Sequence, residues 1–157
     1  MREKIAILKS EIERDHKRLN IIFDKFEKSY SEFLNSNEYS KLVESAFYVS
    51  QIYSAFENTF KNIARAFENS TEQDHWHKSL LERMSLDIQG IRPSLISEES
   101  FQCLNELRTF RHFFHHAYAI DIDKEKFKIV ADKVYTIKGL FSEEIKRFFN
   151  FLNKLME

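Results

Sequence analysis

The sequence has very little glycine, proline or cysteine for its length. Its 157 residues include two glycines, one proline and one cysteine. Because strands are connected by turns that favour glycine and proline, this scarcity predicts long helices with few connections. The lone cysteine, Cys103, excludes an internal disulfide bond, which is typical of proteins that work in a reducing cytosol.

A large net charge of either sign and a long apolar run are also missing. The 24 Lys and Arg residues nearly balance the 25 Asp and Glu residues, which gives a formal net charge of −1. Overall basicity therefore does not hold this protein on nucleic acid, and we expect no DNA partner, although a local basic cleft is compatible with these numbers. No apolar stretch approaches the roughly 20 residues that cross a bilayer. The N-terminus also becomes charged too early for a signal peptide. We expect a cytoplasmic protein without a membrane partner.

Apolar residues recur at steps of three and four along most of the chain, which predicts amphipathic helices. The predicted helices cover about residues 3–34, 42–67, 73–84 and 100–119, and a last helix ends near residue 155. Sixteen phenylalanines supply the bulk that packs them together. We predict one all-α domain over residues 1–157, an antiparallel bundle of four long helices and one short helix.

Polar and turn-forming residues separate the predicted helices. The segment "NSN" at 35–37 predicts the first turn, and "SLDIQGIRPSLIS" at 85–97, which holds Gly90 and Pro93, predicts a loop. Side chains suited to capping precede three helices: Ser70 or Thr71, Ser97 with Glu98 and Glu99, and Asp121 or Asp123. Gly139, inside the last helix, predicts a bend or a close contact with another helix.

The stretch "LRTFRHFFHHAYAI" at 107–120 is unusually rich in arginine, histidine and aromatic residues. A helical projection at about 100° per residue places its two arginines and three histidines on one arc of roughly 140°. These residues are Arg108, Arg111, His112, His115 and His116. The apolar residues fall on the opposite arc: Cys103, Leu107, Phe110, Phe113, Phe114 and Ala117. Tyr118 falls on the border between the arcs, beside Arg111.

Arginine and histidine on one helix face favour phosphate chemistry. The guanidinium group matches phosphate oxygens, and imidazole can transfer a proton at neutral pH. Without an acidic cluster to hold a metal, the combination suits RNA cleavage that uses no metal or other cofactor. Such an arc is equally typical of a solvated helix face. His112 and His116 have the spacing of a zinc-binding pair, but no H-E-x-x-H motif or third ligand accompanies them, so we predict no metal site.

Three further features have structural interpretations. Cys103 lies on the apolar arc and is expected to be a buried small hydrophobe. Trp76 is expected to anchor the core or an interface. Its neighbours His75 and His77 point in different directions on a helix, which favours capping or surface roles over metal binding.

Arg111, four residues, His116, one residue and Tyr118 form the pattern R-x4-H-x-Y. With "HWHKSLLERM" at 75–84, "RPSLIS" at 92–97 and "LNELRTFRHFFHHAYAIDIDKEKF" at 104–127, the chain resembles HEPN toxins of the HepT type. The resemblance covers about a third of the chain. Members of this family are ribonucleases that are paired with antitoxins of the MNT type, which are minimal nucleotidyltransferases.

The resemblance implies a homodimer in which the motif helices meet and form a composite active site that cuts RNA without a metal. Arg111 would bind the scissile phosphate, His116 would act as acid, base or both, and His112 would assist. Arg108 and His115 would bind RNA phosphates, although Arg108 could instead pair with an acidic residue of the partner.

The resemblance also implies how the protein is neutralised. The cognate nucleotidyltransferase would attach AMP to Tyr118, and the two proteins could assemble into a larger complex. Two alternatives remain open from the sequence. The protein could be a non-catalytic companion that binds a nucleotide or substrate for a nucleotidyltransferase, or a purely structural helical bundle.

Overall fold

A computed structural model describes residues 1–68, 76–117 and 121–157 of the chain, and these residues form five α-helices and no β-strand. The helices are α1 (Arg2–Ser36), α2 (Tyr39–Glu68), α3 (Trp76–Met84), α4 (Glu98–His116) and α5 (Lys124–Leu155). The prediction of an all-α fold with four long helices and one short helix is confirmed. Across the described residues, no helix is both long and apolar enough to span a membrane.

The helix ends follow local chemistry at three of the predicted boundaries. Asn37 adopts the left-handed conformation (φ 58°) and its N–H bonds to the carbonyl of Phe33, which closes α1 within the "NSN" segment. The side chains of Ser97 and Asp123 accept hydrogen bonds from backbone N–H groups three residues later and cap α4 and α5. The predicted caps Ser70 and Thr71 lie outside the described residues, as does His75.

Buried apolar side chains from all five helices form one hydrophobic cluster. Aromatic residues contribute much of this cluster, and eight of their rings are almost fully buried: Phe23, Phe26, Phe33, Tyr53, Phe56, Phe60, Phe127 and Phe148. Burying one such side chain contributes roughly 1.5–3 kcal/mol, so these rings explain how a chain with few turns stays compact. Cys103 is 3 % exposed and lies in the same cluster, as predicted.

The loop between α3 and α4 is organised by a buried arginine. The Arg92 side chain is fully buried and donates hydrogen bonds to the backbone carbonyls of Arg83, Leu86 and Pro93 and to the Glu68 carboxylate. Gly90, at φ 78°, makes the tight turn of this loop. The predicted loop at 85–97 is confirmed, and Arg92 has a structural role in it.

Two details of the predictions about α4 were wrong, and one of the two roles predicted for Gly139 of α5 is contradicted. The helix expected to reach residue 119 ends at His116, because Ala117 is extended (φ −85°, ψ 124°) and the His116 ring bonds to a backbone carbonyl of the last turn. Phe113, assigned to the core, is 38 % exposed because it lies at the edge of the apolar arc. Gly139 makes no close helix contact, since a Cβ atom there would meet nothing within 4 Å.

Helices α2 and α4 pack antiparallel, and this pairing positions the basic face of α4. Ser50 of α2 bonds to His115 of α4, and Ser54 bonds to Arg111. The residue number therefore rises along α4 as it falls along α2. One edge of the α4 arc is thus in contact with polar side chains of α2, and the other edge faces solvent.

Candidate functional site

The two arginines and three histidines of α4 line one open depression of about 300 Å³ on the protein surface: Arg108, Arg111, His112, His115 and His116. The sequence placed these five side chains on one face, and the structure brings them together. Tyr118, the remaining candidate site residue, lies outside the described residues. Its expected place beside Arg111 assumed a helix that continues past His116, which the structure does not have.

Arg111 is the most firmly held side chain of this depression. Its Nη1 donates to the Ser54 hydroxyl at 3.2 Å and to Glu57 Oε1 at 3.4 Å, and its Nη2 donates to Glu57 Oε2 at 3.2 Å. The guanidinium carbon also lies 4.6 Å from the centre of the Tyr53 ring. Only 15 % of the Arg111 side chain and 7 % of the Glu57 side chain are exposed. Partial burial strengthens this charge-assisted contact relative to a surface ion pair.

Tyr53 supplies a neutral aromatic surface beneath the guanidinium. Burial, reinforced by the nearby Glu57 carboxylate, raises the pKa of Tyr53, while Arg111 and Arg108 act in the opposite direction. The phenol therefore keeps its proton at physiological pH. Its ring attracts the cation through the cation–π interaction. Among the described residues, the Tyr53 hydroxyl has no hydrogen-bond partner.

Two histidines of the depression have defined ring contacts. His115 Nε2 lies 2.6 Å from the hydroxyl of Ser50. His116 Nδ1 lies 2.8 Å from the backbone carbonyl oxygen of His112. The rings of His112 and His116 also stack, with centroids 4.2 Å apart and planes inclined by 27°. All three histidines are exposed.

Arg108 is oriented from within its own helix. Its Nε and Nη2 donate to the Asn105 side-chain oxygen at 3.2 and 3.0 Å. Asn105 is neutral, so the charge of Arg108 is not cancelled by this contact. The guanidinium therefore adds positive potential at the rim of the depression.

The residues that α2 contributes to the site were not predicted from the sequence: Ser50, Tyr53, Ser54 and Glu57. A signal for these residues exists in the spacing. Ser50, Ser54 and Glu57 are separated by four and three residues, so they share one helix face beside the apolar stripe. Glu57 is 5 % exposed, and a buried carboxylate on a helix requires a cationic partner.

The arrangement is suited to binding an anion and transferring protons. In the parts of the chain that the structure describes, no group of three or more His, Cys, Asp or Glu residues is placed to hold a metal ion. His112 and His116 stack, and a backbone carbonyl engages Nδ1 of His116. The side chains that line the depression carry guanidinium and imidazole groups.

Comparison with known proteins identifies one family. A family model described as "HepT-like protein" matches residues 44–152, which is more than two thirds of the chain. The matched range contains all of α4 and the part of α2 that contacts it. This match confirms the resemblance that the R-x4-H-x-Y pattern indicated. No curated protein and no solved structure matches the chain.

Proposed function

The chain belongs to the HepT-like family, and we propose that it is the toxin of a toxin–antitoxin pair and acts as a metal-independent endoribonuclease. The observation that carries this proposal is the single depression lined by the two arginines and three histidines of α4. Guanidinium groups bind phosphate oxygens, and imidazole groups move protons near neutral pH. Cleavage of an RNA phosphodiester bond requires both.

His116 is the proposed base. A carbonyl oxygen only accepts hydrogen bonds, so the contact with His112 requires the proton of a neutral His116 ring to sit on Nδ1. The lone pair is then on Nε2, the nitrogen available to a substrate. Nε2 removes the proton of a ribose 2′-hydroxyl, and the 2′-oxygen attacks the adjacent phosphorus.

A protonated imidazole completes the reaction. As the bond from phosphorus to the 5′-oxygen breaks, the imidazole donates its proton to that oxygen. The products are a 2′,3′-cyclic phosphate and a 5′-hydroxyl, so neither water nor a metal enters this step. His112 is the proposed donor within one chain, since its ring stacks on His116. In a dimer, a histidine of the second copy is an equally suitable donor.

Arg111 is proposed to bind the scissile phosphate and to stabilise the charge that develops at phosphorus. Arg108 and His115, at the same depression, would bind neighbouring phosphates. The functional unit we propose is a homodimer in which two α4 helices face each other. The open depression and the exposure of its three histidines support this arrangement, because a second copy could close the site.

The proposed antitoxin is a cognate MNT-type nucleotidyltransferase that attaches AMP to Tyr118. Ala117, the residue before it, is extended at the end of α4. A phosphate attached here would add negative charge close to a cluster of arginines and histidines. Pairing between this phosphate and an arginine would fill the RNA site. Tyr118→Phe should therefore cleave RNA normally but resist neutralisation by the nucleotidyltransferase.

The first experiment is cleavage of purified transfer, messenger and ribosomal RNA in EDTA by the protein produced without its partner. We expect cleavage by the wild type and none by His116→Ala, with both proteins equally helical by circular dichroism. The alternative is a non-catalytic companion that binds a nucleotide phosphate at the same depression. Intact RNA of all three classes, with a mass spectrum that excludes AMP on Tyr118, would reject the ribonuclease and favour that alternative.

A further inference from the structure

Arg111 is held by three side chains of α2, and we propose that Glu57 is a positioning residue that aims Arg111 at a phosphate. This inference rests on the proposed function, in which Arg111 binds the phosphate of RNA. It adds a residue from a second helix to the site. That residue belongs to neither the R-x4-H-x-Y pattern nor α4.

The hydrogen-bond geometry decides which edge of the guanidinium remains for a ligand. Arginine has five N–H donors: one on Nε and two on each Nη. Nη1 uses both of its donors on Ser54 and Glu57, and Nη2 uses one on Glu57. Glu57 therefore occupies the end of the fork between Nη1 and Nη2. The N–H of Nε and the second N–H of Nη2 form the remaining edge, and these two parallel donors match two oxygens of a phosphate.

The remaining degrees of freedom of the guanidinium are restrained as well. The Tyr53 ring, 4.6 Å from the guanidinium carbon, covers one of its faces. Ser54 fixes rotation about the long axis of the group through Nη1. A donor pair held in this way loses little conformational entropy when a ligand binds. Preorganisation of this kind also lets the cation stabilise a transition state without first reorienting.

The charge balance explains why the buried Glu57 carboxylate does not cancel the positive charge of the site. Glu57 Oε1 also lies 3.9 Å from Lys61 Nζ, so one carboxylate faces two cations, Arg111 and Lys61. Arg108 adds a further positive charge at the depression. The cluster of Glu57, Arg111, Lys61 and Arg108 thus carries a net charge of about +2. An incoming phosphate meets a positive field although Arg111 is already paired.

The test is a double-mutant cycle on RNA binding, which does not require cleavage. The probe is a fluorescent 2′-O-methyl oligoribonucleotide, which lacks the free 2′-hydroxyl and cannot be cut by this mechanism. Its affinity is measured for the wild type, Glu57→Gln, Arg111→Ala and the double variant. We expect Glu57→Gln to weaken binding about tenfold, and the double variant to bind no more weakly than Arg111→Ala. Glu44→Gln makes the same charge change on α2, but the Glu44 carboxylate contacts Ser29 and Lys41. The affinity of this variant for the oligoribonucleotide should therefore stay within twofold of wild type.

The possible outcomes separate the roles of Glu57. Tighter binding by Glu57→Gln would show that Glu57 competes with phosphate, and unchanged binding would show that it is a bystander; either result overturns the proposal. Losses that multiply in the double variant would mean that Glu57 acts independently of Arg111, which also overturns it. If wild-type protein cuts no RNA but the cycle behaves as expected, the ribonuclease is rejected and the positioning role of Glu57 stands. A thermal melting curve of each variant verifies that it is folded at the assay temperature, so that only folded proteins are compared.

Discussion

The imidazole of His116 is held by the backbone of His112, whose carbonyl oxygen lies 2.8 Å from Nδ1 of His116. The two side chains are one helical turn apart, and their rings stack at 4.2 Å. A backbone carbonyl oxygen at this distance fixes both the tautomer and the ring orientation of a histidine. In the neutral ring, this contact keeps the proton on Nδ1 and leaves the lone pair on Nε2.

Two substitutions at His116 separate ring orientation from proton transfer. His116→Asn preserves an N–H near the position of Nδ1, and His116→Gln places a polar group near Nε2, but neither amide transfers protons at neutral pH. We expect both variants to lose cleavage by about 10²–10⁴-fold, the usual contribution of a general base. Initial cleavage rates on a fixed RNA measure this loss. His16→Gln, a histidine on α1, is the matched control and should retain the wild-type rate; cleavage by His116→Gln within tenfold of wild type would contradict the assignment.

Arg111→Lys tests whether the planar guanidinium group is required in addition to its positive charge, since lysine keeps the charge but offers a single ammonium group. Lysine cannot bond to Ser54, Glu57 and a phosphate with the same geometry. We expect kcat/KM for RNA cleavage to fall about 100-fold, the order found for loss of a transition-state hydrogen-bond donor. Arg108→Lys, at a residue whose guanidinium bonds to the neutral Asn105, should lose less than tenfold. Equal losses in both variants would show that only charge matters.

The N-terminal ends of α4 and α5 were predictable because they depend on local chemistry. Ser97 and Asp123 cap their helices through side-chain bonds to residues three positions later, which the sequence shows directly. The end of α4 was not predictable in the same way. No glycine or proline marks it, and the bond from the His116 ring to the carbonyl of His112 becomes visible only in three dimensions.

The α4 half of the site was predictable for a related reason. All five of its side chains lie within nine residues of one helix, so a helical projection is enough to group them. The α2 half depends on which helices pack together and at what register. Glu57 and Arg111 are 54 residues apart in the chain, and helical periodicity carries no information about that separation. Their pairing follows from the antiparallel packing of α2 against α4.

Ser50→Ala tests the orientation of His115. Ser50 is fully buried, and its hydroxyl lies 2.6 Å from His115 Nε2. Loss of one such hydrogen bond costs about 1 kcal/mol, so we expect RNA affinity to fall about fivefold if His115 binds phosphate in its present orientation. Ser45→Ala is the matched control, because Ser45 is equally buried on α2 but its hydroxyl donates to the backbone carbonyl of Lys41. Equal affinities for the two variants would remove His115 from the site.

Arg92→Met tests a purely structural element. The side chain of Arg92 is fully buried, burial lowers its pKa, and the neighbouring Glu68 opposes that shift. Methionine fills part of the volume but leaves Glu68 and three backbone carbonyls without this donor. We expect the free energy of unfolding to fall by about 3–5 kcal/mol, measured by urea denaturation.

The matched control for Arg92 is Arg83→Gln. Arg83 also lies 3.1 Å from Glu68, but 31 % of its side chain is exposed, so solvent screens the contact. We expect a loss of less than about 1 kcal/mol for this variant. Similar losses for the two variants would mean that burial does not distinguish them.

His16 predicts a loss of stability in mild acid. Its ring lies 6.0 Å from that of Phe141, its Nδ1 is buried without a hydrogen-bond partner among the described residues, and burial lowers its pKa below the ordinary 6.5. Between the folded and unfolded pKa values the unfolded chain binds the proton more strongly. The stabilisation from a neutral His16 is therefore complete above about pH 6.5 and is lost as the pH falls through the folded pKa.

The difference in melting temperature between wild type and His16→Gln isolates this contribution from other titrating groups. Glutamine does not titrate, so the variant lacks the proton-linked loss at this position. From pH 7.5 to pH 5.5, we expect the melting temperature of the wild type to fall by more than that of the variant. Between pH 8.5 and pH 7.5, where the histidine is neutral in both states, the two proteins should change in parallel. Parallel curves across the acidic range as well would show that protonation of His16 costs the fold nothing.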